Sequence, residues 1–157
     1  MDKIIWCLKQ KNGVELVEPN DNLAQAYIKK AESSLRAASV LKDNQDWEIS
    51  SSYYTMYFSL YAILMKIGVK SEIHSCTITL MEQFLKDFFT YDEIELIEKA
   101  QKARIDTQYY SDRNISDRIY YRMRSERAGF LAKCKETISN LTEQEICKIR
   151  DSLKKLI

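Results

Sequence analysis

The fold of this chain is decided by SSSYYTMYFSLYAILMKIG, residues 50–68. Apolar side chains recur there at steps of three and four residues, the period of one helical face, and further apolar residues fill much of the opposite side. A helix that is apolar nearly all round is buried on several sides, so the stretch predicts the central helix of an all-α bundle. Lys66 interrupts it, and it is too short for a bilayer, which needs about 20 apolar residues. Its tyrosines are interpreted as core, while a contact with a second subunit or a ligand stays open.

The segments around this helix predict a bundle of about five helices. Helical periodicity covers residues 22–43, 76–88, about 91–104 and 117–140, and a last helix reaches the C-terminus. Thr90 with Glu93, and Thr142 with Glu145, form capping boxes that mark two helix starts. The apolar pattern breaks over residues 104–116.

Residues 4–17, IIWCLKQKNGVELV, predict a short N-terminal β-hairpin. Two apolar-rich runs flank Asn12-Gly13, the strongest short-range hairpin signal. A lone hairpin is marginally stable in water, so it is expected to dock on the helices or on a partner. The chain is therefore divided into a hairpin extension, residues 1–19, and a helical bundle, residues 20–157.

Composition excludes several classes of protein. A length of 157 residues favours one domain, and a single proline with three glycines favours helices. The net charge of +1 gives no bulk attraction to nucleic acid or to a membrane surface. The four cysteines have no paired spacing, which predicts reduced thiols in a cytoplasmic protein. With one histidine and no local ligand pair, neither a metal site nor another cofactor is predicted.

Basic and aromatic residues are interleaved between Lys102 and Arg127. Seven basic residues stand there against four acidic ones, beside Tyr109, Tyr110, Tyr120 and Tyr121. Guanidinium groups bind phosphate and tyrosine rings stack on bases, so this pattern suits RNA, although a solvated helix face gives the same pattern. Arg104 continues an apolar helix face, so it must be paired or face an interface.

Three stretches together resemble the HEPN superfamily (higher eukaryotes and prokaryotes nucleotide-binding domain), in its small stand-alone prokaryotic form. They are AYIKKAESSLRAASVL in the first long helix, SSSYYTMYFSLYAIL followed by GVKSEIHS, and RIDTQYY from Arg104. The resemblance implies a bundle of four or five helices that is often dimeric. Many members are RNA-cleaving toxins or RNA-processing domains, and small ones often pair with a minimal nucleotidyltransferase as toxin and antitoxin.

The family's nuclease motif is an arginine followed four to six residues later by a histidine. Arg104 matches the arginine, but Tyr109 stands where the histidine belongs. The ordinary pKa of a tyrosine hydroxyl is about 10, which makes tyrosine a poor general base at neutral pH. The sequence therefore predicts a non-catalytic homodimeric module that binds RNA or nucleotide, or that pairs with a nucleotidyltransferase.

The predicted site centres on Arg104 and Tyr109, as the positions of the family's catalytic pair facing a dimer cleft. The residues predicted to bind RNA or nucleotide beside them are Asp106, Tyr110, Arg113, Arg118, Arg122 and His74. Two alternatives stay open. One is a metal-independent ribonuclease toxin that uses Arg104 with Tyr109 or His74, and the other is a structural scaffold whose arginines form surface salt bridges.

Overall fold

Helices dominate residues 2–157, the part of the chain that the computed structural model describes. The elements in order are α1 Lys3–Lys9, β1 Glu15–Leu16, α2 Asp21–Val40, α3 Gln45–Ile67, β2 Val69–Lys70, α4 His74–Phe84, α5 Tyr91–Tyr109, α6 Asp117–Asn140 and α7 Glu143–Lys154. The predicted all-α class is confirmed. The count of about five is too low for the described residues, which form seven helices: α1 replaces the predicted hairpin, and α2 to α7 correspond to the six segments that the sequence predicts as helical.

Helix α3 is the central element, as predicted. It packs against α2, α5 and α6, and Tyr53, Met56, Leu60 and Ile63 on it are completely buried. Asn44 caps its first turn by accepting a hydrogen bond from a backbone amide. Within residues 2–157, neither α3 nor any other helix is both long enough and apolar enough to cross a membrane.

The predicted N-terminal hairpin is wrong. Residues Lys3–Lys9 form α1, whose first turn is capped by the Asp2 carboxylate. Ile4 and Cys7 are buried on one side of this helix, and their three-residue separation suits a helical face rather than a strand. Asn12 adopts a positive φ of 63° in a turn that leads from α1 into β1. Strand β1 then pairs antiparallel with β2, which follows α3, and not with the preceding segment.

The prediction of four reduced cysteines is also wrong. Cys7 of α1 and Cys76 of α4 form a disulfide, with their Cα atoms 5.6 Å apart. Cys134 is a buried free thiol and Cys147 an exposed one. The pairing joins residues 69 positions apart in the chain, so local spacing could not reveal it.

The C-terminal end of α3 is closed by residues from distant parts of the chain. Gly68 adopts the left-handed conformation, with φ 82°, and its amide donates to Leu64 and Met65 carbonyls. Arg150 of α7 donates one guanidinium nitrogen to the carbonyls of Val17, Ile67 and Gly68, at 2.7, 3.1 and 2.7 Å. A cation placed on the last carbonyls of a helix stabilises that end.

Candidate nucleic-acid interface

Three adjoining clefts follow the C-terminal half of α5 and the start of α6. The first cleft, of about 310 Å³, lies between α3 and α5 and is lined by Asp46, Trp47, Ser50, Thr107, Gln108 and Tyr109. The second, of about 480 Å³, shares four of these residues and continues along the loop that follows α5. The third, of about 330 Å³, meets the second at Asn114 and Ile115 and runs between α5 and α6. We call the three clefts together the α5–α6 groove.

Six of the eight predicted site residues line this groove. Tyr109, Tyr110 and Arg113 border the second cleft, and Asp106, Arg118 and Arg122 border the third. They come from the end of α5, the loop after it and the start of α6. The fold therefore gathers these charged and aromatic residues onto one continuous surface.

The middle of the groove is organised by Asp106, which is buried. Its carboxylate accepts from Lys102 at 2.8 Å and from Arg113 at 2.7 Å. These hydrogen bonds hold the pKa of Asp106 below its ordinary value, and the one from Lys102 has the largest effect. The Arg113 guanidinium also lies 3.5 Å from the centre of the Tyr110 ring. Asp106 thus fixes the loop after α5 to the helix and sets the positions of Arg113 and Tyr110.

The two arginines of the third cleft differ in how they are paired. Arg122 donates to Glu95 at 3.2 Å, to Glu126 at 2.8 Å and to the Asp92 carbonyl at 2.9 Å. Arg118 is exposed and forms no ion pair with any residue between 2 and 157. It lies in the first turn of α6, where the helix dipole adds positive potential. Arg118 is therefore the cation of this cleft that is free to meet an anion.

Arg104 lies behind the groove rather than in it. Its side chain is 8 % exposed, and its guanidinium carbon is 4.9 Å from the Tyr53 ring centre and 5.7 Å from that of Tyr54. One terminal nitrogen donates to Oε1 of Gln108 at 2.7 Å. Arg104 thus contacts the groove through Gln108, which lines the first and second clefts.

His74 contacts the same pair of tyrosines as Arg104. The ring centres of Tyr53 and Tyr54 lie 5.8 and 6.1 Å from the centre of the imidazole. Its Nδ1 is 2.7 Å from the Tyr53 hydroxyl, and the ring stacks on Tyr57 at 4.0 Å. Burial, and then the positive charge of Arg104, lower the pKa of His74 to about 4. The imidazole is therefore neutral at physiological pH.

Arg104 and Tyr109 point in different directions. Five residues of an α-helix turn through about 500°, which places two such side chains about 140° apart around the axis. Arg104 faces α3 and is buried, whereas Tyr109 is 71 % exposed at the groove. The two residues at the positions of the family's catalytic pair therefore do not converge within this chain.

One buried network was missed by sequence reasoning. Glu48 of α3 is 1 % exposed and accepts hydrogen bonds from three side chains of α6. Arg124 binds it with two nitrogens at 2.8 Å each, Arg127 binds it at 3.0 Å, and the Tyr120 hydroxyl also donates to it. The available signal was Arg127, which occupies a position in the apolar stripe of its helix and so requires a buried acidic partner.

Comparison with known proteins finds one matching family and a curated relative. A family model described as the HEPN domain matches residues 24–146. UPF0332 protein glr0978 of Gloeobacter violaceus (strain ATCC 29082 / PCC 7421) is 40 % identical over 63 residues, which are 39 % of this chain and 50 % of that protein. The chain therefore spans about half the length of the curated relative that it matches. Residues 24–146 contain the α5–α6 groove and the side chains around Arg104.

Proposed function

Because this chain belongs to the HEPN domain family, we propose that it is a homodimeric module that binds single-stranded RNA or nucleotides in the α5–α6 groove. We further propose that it does not cleave RNA by the arginine–histidine mechanism of that family. A minimal nucleotidyltransferase, in a toxin–antitoxin-like pair, is the protein partner that this family membership favours.

The observation that supports binding is the combination of side chains in the groove. Tyr109 and Tyr110 are exposed aromatic residues, and Arg118 is a cation without an ion pair among residues 2–157. Aromatic stacking contributes roughly 1–3 kcal/mol per base to single-strand binding, and it tolerates any sequence because every base has a flat face. Tyrosines and a free arginine along one groove therefore suit a single strand better than a duplex.

The state of the candidate proton-transfer groups supports a non-catalytic role. Tyr109 stands where the family has its histidine, and it faces away from Arg104. His74 has a pKa lowered to about 4, and its Nδ1 is already hydrogen bonded to Tyr53. General acid–base catalysis works best when the pKa of the group lies near the working pH. His74, with its lowered pKa, does not meet that condition at neutral pH.

The homodimer is proposed from the family and from exposed aromatic side chains. Trp47 and Tyr109 border the first cleft and are 60 % and 71 % exposed. Tyr121 on α6 is 57 % exposed. Aromatic residues are enriched in protein interfaces relative to the rest of the surface. Pairing through this side of the bundle would bring the two grooves of a dimer together.

Fluorescence anisotropy measures the binding of a labelled single-stranded RNA in a buffer that contains EDTA. The RNA has about 12 nucleotides, a length within the site sizes known for single-strand binding. Tyr109→Ala and Arg118→Ala are each expected to weaken binding about fivefold to tenfold, because each removes about 1 kcal/mol or more of stacking or phosphate contact. Arg118→Ala should also reduce the salt dependence by about one counterion. Tyr91→Ala and Arg36→Ala are matched controls, since both residues are exposed and lie outside the groove. Equal losses in the controls would remove the assignment to this groove.

A second candidate function, metal-independent ribonuclease activity, is favoured by one observation. Arg104 and His74 contact the same two tyrosine rings, so a cation and an imidazole lie close together. The RNA of the binding assay, recovered after incubation, separates the two functions. We expect it to be intact. Cleavage by the native protein that disappears in His74→Asn would replace the binding module with a nuclease.

A further inference from the structure

Arg104 is a buried cation without an anionic partner. Its Nε is the one buried side-chain nitrogen or oxygen among residues 2–157 that has no hydrogen-bond partner. Its side-chain acceptor is the neutral amide of Gln108, and no carboxylate of the described residues lies within 4 Å of its guanidinium. Arg127, the other buried arginine of this part of the chain, is by contrast paired with Glu48 at 3.0 Å.

This arrangement leaves the guanidinium of Arg104 with unused binding capacity. Buried charges in proteins are normally paired, because removal from water is expensive. The rings of Tyr53 and Tyr54 offset part of the desolvation free energy of the guanidinium through cation–π contacts. An aromatic ring and an amide do not neutralise the charge, however. An anion that reached Arg104 would therefore gain a strong, directional contact.

Gln108 lies between Arg104 and the groove. Its side chain is exposed, and its Oε1 occupies the position 2.7 Å from the Arg104 nitrogen that an anionic oxygen would take. The same side chain lines the first cleft, whose volume is about 310 Å³. Rotation of one exposed glutamine side chain would open Arg104 to that cleft. Exposed side chains change rotamer on the picosecond-to-nanosecond timescale.

The first cleft also holds surfaces for a flat aromatic group. Trp47 and Tyr109 border it on two sides, and both are largely exposed. Asp46 borders it as well, and its carboxylate opposes a ligand with several negative charges. The cleft thus combines one reachable cation, two aromatic side chains and one carboxylate.

We propose that Gln108 is an internal stand-in for an anion, and that the phosphate of a nucleoside monophosphate displaces it from Arg104. The base then stacks on Trp47 or Tyr109 in the first cleft. The proposal rests on the proposed nucleotide-binding function and names the ligand class and the gating residue of the same groove. Gln108 acts here as a specificity residue, because ligands without an anionic group have no means to displace it.

The test uses calorimetric titration with AMP, with adenosine and with inorganic phosphate as comparison probes. The native protein is expected to bind AMP at least about tenfold more tightly than either comparison probe, because only AMP offers both the anion and the base. Gln108→Ala should bind AMP as tightly as the native protein or more tightly, since the competing amide is gone. Gln108→Glu should weaken AMP binding by about tenfold or more and raise the melting temperature, because a permanent carboxylate then pairs with Arg104.

A matched control is Gln25→Glu, which makes the same charge change at an exposed position on α2, outside the α5–α6 groove. It should leave AMP affinity within about twofold of the native value, because an exposed charge outside the groove is screened by solvent and salt. Unchanged AMP binding in Gln108→Glu would overturn the proposal, and so would a loss of binding in Gln108→Ala. If the native protein binds the single-stranded RNA but not AMP, this inference is wrong and the proposed function is retained. If the native protein binds neither ligand, both this inference and the proposed function are wrong.

Discussion

Glu48→Gln is expected to lower the free energy of unfolding by about 3–5 kcal/mol, the range for removing one partner of a buried ion pair. Glu48 is 1 % exposed and accepts from Arg124, Arg127 and Tyr120. The glutamine keeps the shape but not the charge. Arg127, itself 5 % exposed, would then be buried without a counterion. Urea unfolding at neutral pH measures the loss.

The matched control is Glu126→Gln, which removes a carboxylate from the exposed pair with Arg122 on α6. Exposed ion pairs are worth about 0–1 kcal/mol, so its effect should fall in that range. If Glu48→Gln were as mild as this control, the network would not hold α3 to α6.

The stability difference between the native protein and Glu48→Gln should also depend on pH. Burial raises the pKa of Glu48, but the hydrogen bonds from α6 outweigh it and lower that pKa to about 2, against an ordinary value of 4.5. A depressed carboxyl pKa contributes stability above the unfolded-state value, and that contribution is lost as the pH falls through the folded-state value. The stability difference should therefore be full above about pH 4.5 and narrow towards pH 2. A difference independent of pH would contradict the assignment.

The helical frame could be predicted because its signals are local. The Thr90–Glu93 and Thr142–Glu145 capping boxes both form, as predicted. The predicted hairpin failed because Asn12-Gly13 marks a turn without fixing what precedes it. Ile4 and Cys7 have helical spacing and form the buried side of α1. Strand β1 then pairs with β2, which follows α3.

The candidate site could be predicted only in part, for a related reason. Its groove residues are close in sequence, so a local excess of charge and aromatic rings was enough to select Tyr110, Arg113, Arg118 and Arg122, while the family motif selected Tyr109. The contacts of Arg104 with Tyr53 and of His74 with Tyr53 join three different helices. Periodicity places each of these residues on a face of its own helix, but it does not say which faces meet. Glu48 and Arg127 escaped notice as a pair because 79 residues separate them.

Reduction of the Cys7–Cys76 disulfide is expected to lower the free energy of unfolding by about 2–4 kcal/mol. The bond closes a loop with a sequence separation of 69 residues, and a cross-link over a long loop restricts the unfolded chain strongly. Helix α1 also packs mainly against α4, so we expect the disulfide to contribute much of the free energy that holds α1 against α4. Urea unfolding of the native protein with and without a phosphine reductant measures the effect.

Two variants assign the effect to this bond. Cys147→Ser removes an exposed free thiol and should leave the full response to the reductant. The double variant Cys7→Ser with Cys76→Ser should start about 2–4 kcal/mol less stable and should not respond to the reductant at all. A double variant as stable as the native oxidised protein would mean that α1 is held by packing alone. In that case Ile4, which is 1 % exposed, would supply the attachment that we assign here to the sulfur–sulfur bond.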